Sequence, residues 1–472
     1  MATLQDLPHE LLEKILLQAD APTITLCRLV CTAFTEVIRD STAIQYKLEL
    51  AINGYEDGTL NGWSTAEKLE ALRSRRSACV AVQPTTIRTI NITHEILFTR
   101  GHFAWISKED EFHVLQLPSA FRGIPAKEWA VKGPIVDVIT QNRTAMDPDE
   151  DILAVAEYRE GEREFWVISL RSLTTGDYHP QAKNRELASI RAGFASGLDL
   201  TVWRDYVGID HFEDRGDYTY IYIYNWKTGE RLLALDAKPI AYTFVSDQYM
   251  LLAHSDYHSA EATVSVIHLP SLPCEGSHKM MTSLTELEPL STVQLRLPDC
   301  ECPSSGLYIA ATPARPWQKL STAFHPSDPE DQGVVIHMSY YDWRINDFKD
   351  QKRSTLIVPW SAIQRGIQTG QDEQKKRLEW NEWGPKDTAF IPSTRGKPFP
   401  RVRGMGSTVL RQVSSVSSLD DLKPLTSLNR HVNLALSDRG QSREYNVEAL
   451  GDDYIITSES NNSSSEYHIL SF

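Results

Sequence analysis

A strand-and-turn unit recurs along this chain at matched spacing, and that recurrence limits the fold more than any other feature. Ile168, Leu170, Thr175 and Gly176 map onto Ile221, Ile223, Thr228 and Gly229 at one constant offset. A second echo pairs Val114-Leu115-Gln116-Leu117-Pro118-Ser119 with Val266-Ile267-His268-Leu269-Pro270-Ser271, and Leu356 to Ser361 is a degenerate third. Each copy is preceded by another hydrophobic strand, at Ile96 to Ile106, Ile152 to Tyr158, Tyr206 to Phe212, Tyr249 to His254 and Val334 to Tyr340. From Ile87 onward the texture is short β-type runs with almost no helical period, so the body reads as all-β.

Units of two hairpins spaced by about 45 residues suit the blades of a β-propeller, because a four-stranded blade cannot cover both its faces without neighbours. Six or seven blades fit the length, and a pair of β-sandwiches is the competing arrangement. Tyr218 to Trp226 alternates aromatics with Ile221 and Ile223, so both of its faces are apolar and it belongs between two sheets. The turn after it uses Gly229, which can take positive φ. The last strands, Asp453 to Ile456 and Tyr467 to Leu470, run almost to the final residue. Ring closure through the C-terminus and the strand near Ile87 is therefore expected. The G-H and W-D signatures of WD repeats are absent. Ser271 to Ser291, Pro326 to Gln332 and Val413 to Ser427 break the rhythm as loops, and acidic Asp147 to Asp151 reads as a solvated loop.

The first fifty residues have a different period. Pro8 suits the first position of a helix, and Leu11, Leu12, Ile15 and Leu16 then share one stripe. Pro22 opens a second short helix bearing Leu26, Leu29 and Val30, and a third carries Phe34, Val37 and Ile38. Helices this short bury too small a core to stand alone, and their apolar stripes exceed what they can hide among themselves, so a partner is expected to cover the remainder. Ile44 to Ala51 continues in helix to an Asn53-Gly54 stop, and Ser64 to Arg76 forms another helix, with Ser64 and Glu67 as a capping box and Leu69 and Leu72 inside. These helices read as a rigid connector.

The pattern L-x-x-L-P-x-E-L-L-x-x-I-L from Leu4, followed by Arg28-Leu29-Val30-Cys31 and an aromatic three positions on, resembles the F-box over roughly positions 4 to 40. The resemblance implies docking onto the Skp-type adaptor of cullin-RING ubiquitin ligases. It assigns Leu7, Pro8, Leu11, Leu12, Ile15, Leu29, Val30 and Phe34 to that contact, with Phe34 where the family usually has tryptophan. Ile44 to Ala51, Asn53-Gly54-Tyr55 with Asp57-Gly58, and Trp380-Asn381-Glu382-Trp383-Gly384-Pro385 are together similar to a group of basidiomycete fungal F-box proteins. The expected organisation is an α+β multidomain chain: an F-box head over residues 1–50, a helical linker over 51–80 and an all-β, propeller-like target-binding body over 81–472.

Composition narrows the functions. A net charge of -15 and a pI near 5.4 argue against general nucleic-acid or membrane-surface binding, which needs a basic excess. Six cysteines in 472 residues make no disulfide framework, and all six read as reduced thiols. No N-terminal apolar leader segment and no run of ~20 apolar residues is found, so a cytoplasmic or nuclear protein is expected.

Enzymatic signatures are weak. His254 and His258 stand four apart, but the stretch reads as strand end and turn, not the helix from which such a pair binds one ion. Gly404-Met405-Gly406 lacks the third glycine and following helix of a dinucleotide site. There is no G-x-S-x-G and no H-E-x-x-H. No catalytic residue, metal or cofactor is expected. One charged segment stands out: Lys352 to Arg411 holds twelve basic against five acidic residues, a local +7, so the rest of the chain sums to -22. Within it Arg395, Lys397, Arg401 and Arg403 lie beside Pro398-Phe399-Pro400 and suit an acidic or phosphorylated peptide. The alternative is that they balance acidic neighbours. The sequence thus points to a non-catalytic substrate receptor of a ubiquitin ligase, holding an adaptor and through it a cullin at one end and a protein target at the other. A propeller hydrolase and a non-ligase scaffold are the rival readings.

Overall fold

The computed structural model describes residues 7–59, 62–81, 86–92, 96–106, 111–131, 144–159, 165–191, 197–212, 219–237, 240–255, 261–272, 290–298, 304–311, 322–326, 333–340, 352–386, 388–392, 401–405, 408–412, 446–451, 454–461 and 464–471. The three rhythm-breaking segments fall largely or wholly outside them, at 273–289, 327–332 and 413–427.

The chain begins with helices α1 (His9–Gln18), α2 (Ala21–Cys27), α3 (Thr32–Asp40), α4 (Thr42–Asn53) and α5 (Thr65–Ala81). Pro8 stands one residue before α1 as its N-cap, and Asp20 caps α2 by accepting from the Thr23 N–H at 2.9 Å. Gly54, at φ 64°, ends α4 in the left-handed conformation its sequence promised. Ser64 and Glu67 form the expected reciprocal cap on α5.

The body is built from consecutive antiparallel sheets. The first holds Ile96–Thr99, His102–Ile106, Phe112–Gln116 and Lys127–Val131, in chain order across the sheet. The second (Thr144–Asp147, Ile152–Arg159, Phe165–Ser172, Glu186–Arg191) and the third (Gly197–Trp203, Tyr206–Phe212, Thr219–Asn225, Glu230–Ala237) repeat that order. So does the fourth, with Ile240–Phe244, Tyr249–Ser255, Ala262–His268 and Ser291–Arg296. The fifth pairs Ser304–Ala311, Gly333–Tyr340, Lys352–Pro359 and Ala389–Pro392, and a hairpin of Arg401–Met405 with Thr408–Gln412 follows. The last sheet joins the two ends of the body. Ser464–Ser471 lies between Tyr454–Asn461 and Thr86–Ile92, pairing Thr86 with Ser471 and Ile92 with Ser465.

The strands that carry the sequence echoes are all the third of their sheets. Gly176 and Gly229 occupy the same turn at φ 80° and 75°. Ile96 to Ile106 is two strands, not one, because Arg100 and Gly101 turn the chain at φ 44° and 71°.

Each of the first four sheets is covered on both faces by its neighbours. On Tyr249–Ser255, Met250 and Leu252 pack with Ile221 and Ile223 of the third sheet, while Leu251 and Ala253 pack with Val334 and Ile336 of the fifth. The last sheet and the first share Ile469, Tyr467, Phe103 and Leu115. A rim of polar contacts joins corresponding turns. Arg100 reaches Asp147 at 2.7 Å and lies 4.1 Å over the Trp203 ring, the Arg204 N–H donates to Asp147 at 3.0 Å, and the Arg204 guanidinium pairs with Asp247. Asp147, read from sequence as solvated, is thus a buried anchor at 1% exposure, because its partners lie some fifty residues away along the chain.

The body is not purely β. Helix α6 (Trp360–Asp372) and the single turn α7 (Trp380–Trp383) are inserted between the last two strands of the fifth sheet. Trp360, Ile363 and Ile367 face the core of the fourth and fifth sheets. Arg377–Leu378 then pairs in parallel with Ser291–Arg296 and covers the edge of the fourth sheet.

Candidate functional site

The N-terminal helices close around Leu12, Leu16, Ile24, Phe34, Val37, Ile38, Ile44 and Leu48. That core uses one stripe of each helix, and α1 has a second. Leu11 and Ile15, one turn apart, are 45% and 48% exposed. At the end of α2 Leu26 is 65% exposed, and the following turn, tied by backbone bonds from Leu29 to Leu26 and from Val30 to Cys27, presents Leu29 and Val30 at 84% and 66%. Among the described residues eight large apolar side chains are exposed, and five fall between positions 11 and 30. Five exposed large apolar side chains within twenty residues make this stretch the candidate interaction surface, which singly exposed leucines elsewhere are not.

The eight residues assigned to this surface from sequence therefore divide. Leu11, Ile15, Leu29 and Val30 face outward, Pro8 is exposed, and Leu7 is half-buried against the core. Leu12 and Phe34 are at 1% and 8% exposure inside the helical core, where they hold the domain together. Phe34 suits that place better than an indole, whose N–H would need a buried partner. Leu29 and Val30 lie beyond the end of α2, in the turn. Leu26 was on the sequence stripe but not among the assigned residues.

The helical head is fixed to the body by a joint of mixed chemistry. Tyr55–Asp57 pairs antiparallel with Phe324–Pro326, and the Gly58 N–H donates to the Ala323 carbonyl at 2.9 Å. A Cβ on Gly58 would lie 2.0 Å from the Thr322 oxygen, so this approach requires glycine. Phe121 stacks on Phe324 at 4.5 Å and meets Tyr55 edge-on, while Arg75 lies 4.8 Å over the Phe121 ring. Between α4 and α5, buried Glu49 takes Arg76 at 3.0 Å and Arg73 at 3.5 Å. Asp57 accepts from Tyr46 at 2.7 Å and Lys68 at 2.6 Å, and the Lys68 hydrogen bond helps hold its carboxyl below the usual range against the opposing cost of burial.

The basic segment divides as well. Arg377 pairs with Glu261 at 2.7 Å, and Lys375 bridges Glu373 and Glu382, so these charges balance neighbours. The backbones of Arg401 and Arg403 lie on one strand of the hairpin, whereas Arg395 and Lys397 lie outside the described residues.

His254 is a buried core histidine, its Nε2 2.8 Å from the Ser265 hydroxyl, and His258 lies outside the described residues. Among the described residues no cluster of three or more metal-binding side chains is present, and no helix is long and apolar enough to cross a membrane. Burial, with Arg377 adding repulsion, depresses the His254 pKa to about 4. Below about pH 6.5 the unfolded chain takes up a proton there that the folded chain refuses until about 4, so stability falls across that window. The expected loss is about 2 kcal/mol by pH 5. Urea midpoints at pH 7 and pH 5 should show it, and His254→Gln, which keeps an amide donor near Ser265, should flatten the difference. Equal pH dependence in both proteins would assign the acid limb to other groups.

The F-box domain family matches residues 4–42, which span the exposed apolar residues and the first three helices. The N-terminal unit is therefore an F-box, which implies a part in ubiquitin-ligase substrate recognition through a Skp-type adaptor. No curated protein matches the chain.

Proposed function

We propose that this chain is the substrate-receptor subunit of a Skp-adaptor/cullin/F-box ubiquitin ligase, with the F-box holding the adaptor and the β-body recruiting a protein target. The observation that carries the reading is the outward apolar set Leu11, Ile15, Leu26, Leu29 and Val30 within the matched F-box. Pro8 and Leu7 extend it, and Leu12 and Phe34 support it from beneath. The chain's part in the chemistry is positional. Ubiquitin transfer occurs on other subunits, and this one raises the target's effective concentration and fixes its orientation. The strand joint at Tyr55–Asp57 and the Glu49 clamp suit that task, since a loose tether would forfeit orientation. The division into a head over residues 1–50, a linker over 51–80 and a body over 81–472 is part of the same proposal.

We read the body as a divergent seven-bladed propeller: six sheets in chain order, five of four strands and one of four plus the Arg377–Leu378 edge strand, with the Arg401–Met405 hairpin belonging to the seventh blade. Supporting this are the face-to-face packing of consecutive sheets and the N-terminal strand that completes the last one. Kinship with fungal F-box receptors and a cytoplasmic or nuclear site of action accord with this reading. The acidic balance disfavours nucleic acid and membrane surfaces as partners.

Affinity capture of the intact chain from its own cell extract, scored for adaptor and cullin, tests the proposal; a capture containing neither, from a folded bait, sinks it. For the target we propose an acidic or phosphorylated segment met by Arg395, Lys397, Arg401 and Arg403. Reversing the charge of Arg401 and Arg403 should abolish target capture and leave adaptor capture intact, read by quantitative mass spectrometry at two ionic strengths. Recovery of the same targets in equal amounts would place recognition on other loops.

A further inference from the structure

One end of the interface between the third and fourth sheets is polar. Asp199 and Asp210 stand directly opposite each other on neighbouring strands, a placement that sets their Cβ atoms roughly 4.5–5.5 Å apart. Strand alternation puts them on the same face as Ile221 and Ile223, the face that packs against the fourth sheet. From that sheet Tyr242 reaches across. Its phenol lies against Gly208, two residues from Asp210, so closely that a Cβ there would sit 2.0 Å from the phenolic oxygen.

Tyr242 is 9% exposed, and its hydroxyl and one carboxylate oxygen of each aspartate are buried without a hydrogen-bond partner among the described residues. Thr201, opposite Gly208, adds a hydroxyl close by. Among the described residues no basic side chain compensates the pair. Burial, then the neighbouring Asp199, holds the Asp210 carboxyl well above the usual range, and burial alone raises Asp199.

Buried carboxylates are stable when paired or when they coordinate a metal. A proton shared between these two would leave one negative charge in the seam, whereas a divalent cation cancels both. We propose that this pocket binds a hard divalent cation of the calcium class through the carboxylates of Asp199 and Asp210 and the hydroxyl of Tyr242. The donors are all oxygen, which disfavours zinc. Calcium accepts irregular sets of six to eight oxygens including water, while magnesium demands near-ideal octahedral geometry. The donors come from two sheets, so the ion staples their interface and stabilises the body independently of what the F-box binds.

The test uses the full chain after chelation, with calcium chloride as the probe and thermal unfolding as the readout. The melting temperature should rise with calcium, the folded-to-unfolded ratio gaining about 100-fold at a concentration one hundred times Kd. Terbium should give sensitised emission through Tyr242. Asp199→Asn should remove both responses. Tyr242→Phe, which retains the packing against Gly208, should weaken the affinity ~10-fold and lower the sensitised emission. If wild-type protein melts identically with and without calcium and sensitises no terbium, the proposal fails and the carboxyls share a proton. Asp210→Asn would then raise the melting temperature above pH 7 with no metal added.

Discussion

Replacing Leu29 and Val30 together by aspartate should abolish adaptor binding while leaving the protein folded. The two side chains are 84% and 66% exposed, so the folded chain loses almost no packing. In a complex that buries them, each contributes roughly 1.5–3 kcal/mol, and their joint loss weakens Kd by about 10²- to 10⁴-fold even before the cost of burying two carboxylates. Calorimetric titration of purified adaptor into wild type and the double variant measures the loss directly. The melting temperature and circular dichroism of the variant should match wild type. Unchanged affinity in a folded double variant would remove this surface from the adaptor contact and leave Leu11, Ile15 and Leu26 to be tested alone.

Leu12→Ala and Phe34→Ala should behave differently, because both side chains sit inside the helical core. Deleting them costs about 2–5 kcal/mol of folding stability in a domain this small, so lost adaptor binding would report unfolding rather than a missing contact. The sequence could not separate the two sets. Leu11, Leu12, Ile15 and Leu16 occupy adjacent stripes of one helix, and helical spacing does not say which stripe meets the domain's own core. The exposure of Leu29 and Val30 was hidden for another reason: α2 ends at Cys27, one residue before a turn that carries no glycine or proline to mark it.

Elsewhere, legibility followed how local the determining interaction was. The third strands and their Gly176 and Gly229 turns were readable because alternation and positive φ are written in a few adjacent residues. The helix α6 was legible in principle, with Trp360, Ile363 and Ile367 at helical spacing, but Leu356 to Ser361 was absorbed into the strand echo, whose end is the start of the helix. Asp147 was misread because its partners, Arg100 and Arg204, are distant in sequence. Asp199 and Asp210 were missed likewise. Each sits alone in an alternating strand, and only the register of Gly197–Trp203 with Tyr206–Phe212 sets them face to face.

The closing strand is where a small deletion should do the most damage. Removing residues 464–472 takes out an interior strand, paired on one side with Tyr454–Asn461 and on the other with Thr86–Ile92. It also removes Tyr467 and Ile469 from the cluster they form with Phe103, Trp105 and Leu115 of the first sheet. Two strand edges are then unpaired, and an apolar face of the first sheet is uncovered, the conditions under which sheets aggregate. The truncated chain should be insoluble, or, if soluble, should unfold at a much lower temperature without a single cooperative transition. Ile469→Asp gives a finer test, since it keeps the backbone ladder and places one charge in that cluster, at an expected loss of several kcal/mol. Because consecutive sheets cover one another, the loss should spread beyond the last sheet. Hydrogen exchange in the first sheet, at Phe103 to Leu115, should accelerate along with that at Thr86 to Ile92. A truncated protein that melts like wild type, with protection in the first sheet unchanged, would mean that the sheets fold independently and that the body is not a cooperative ring.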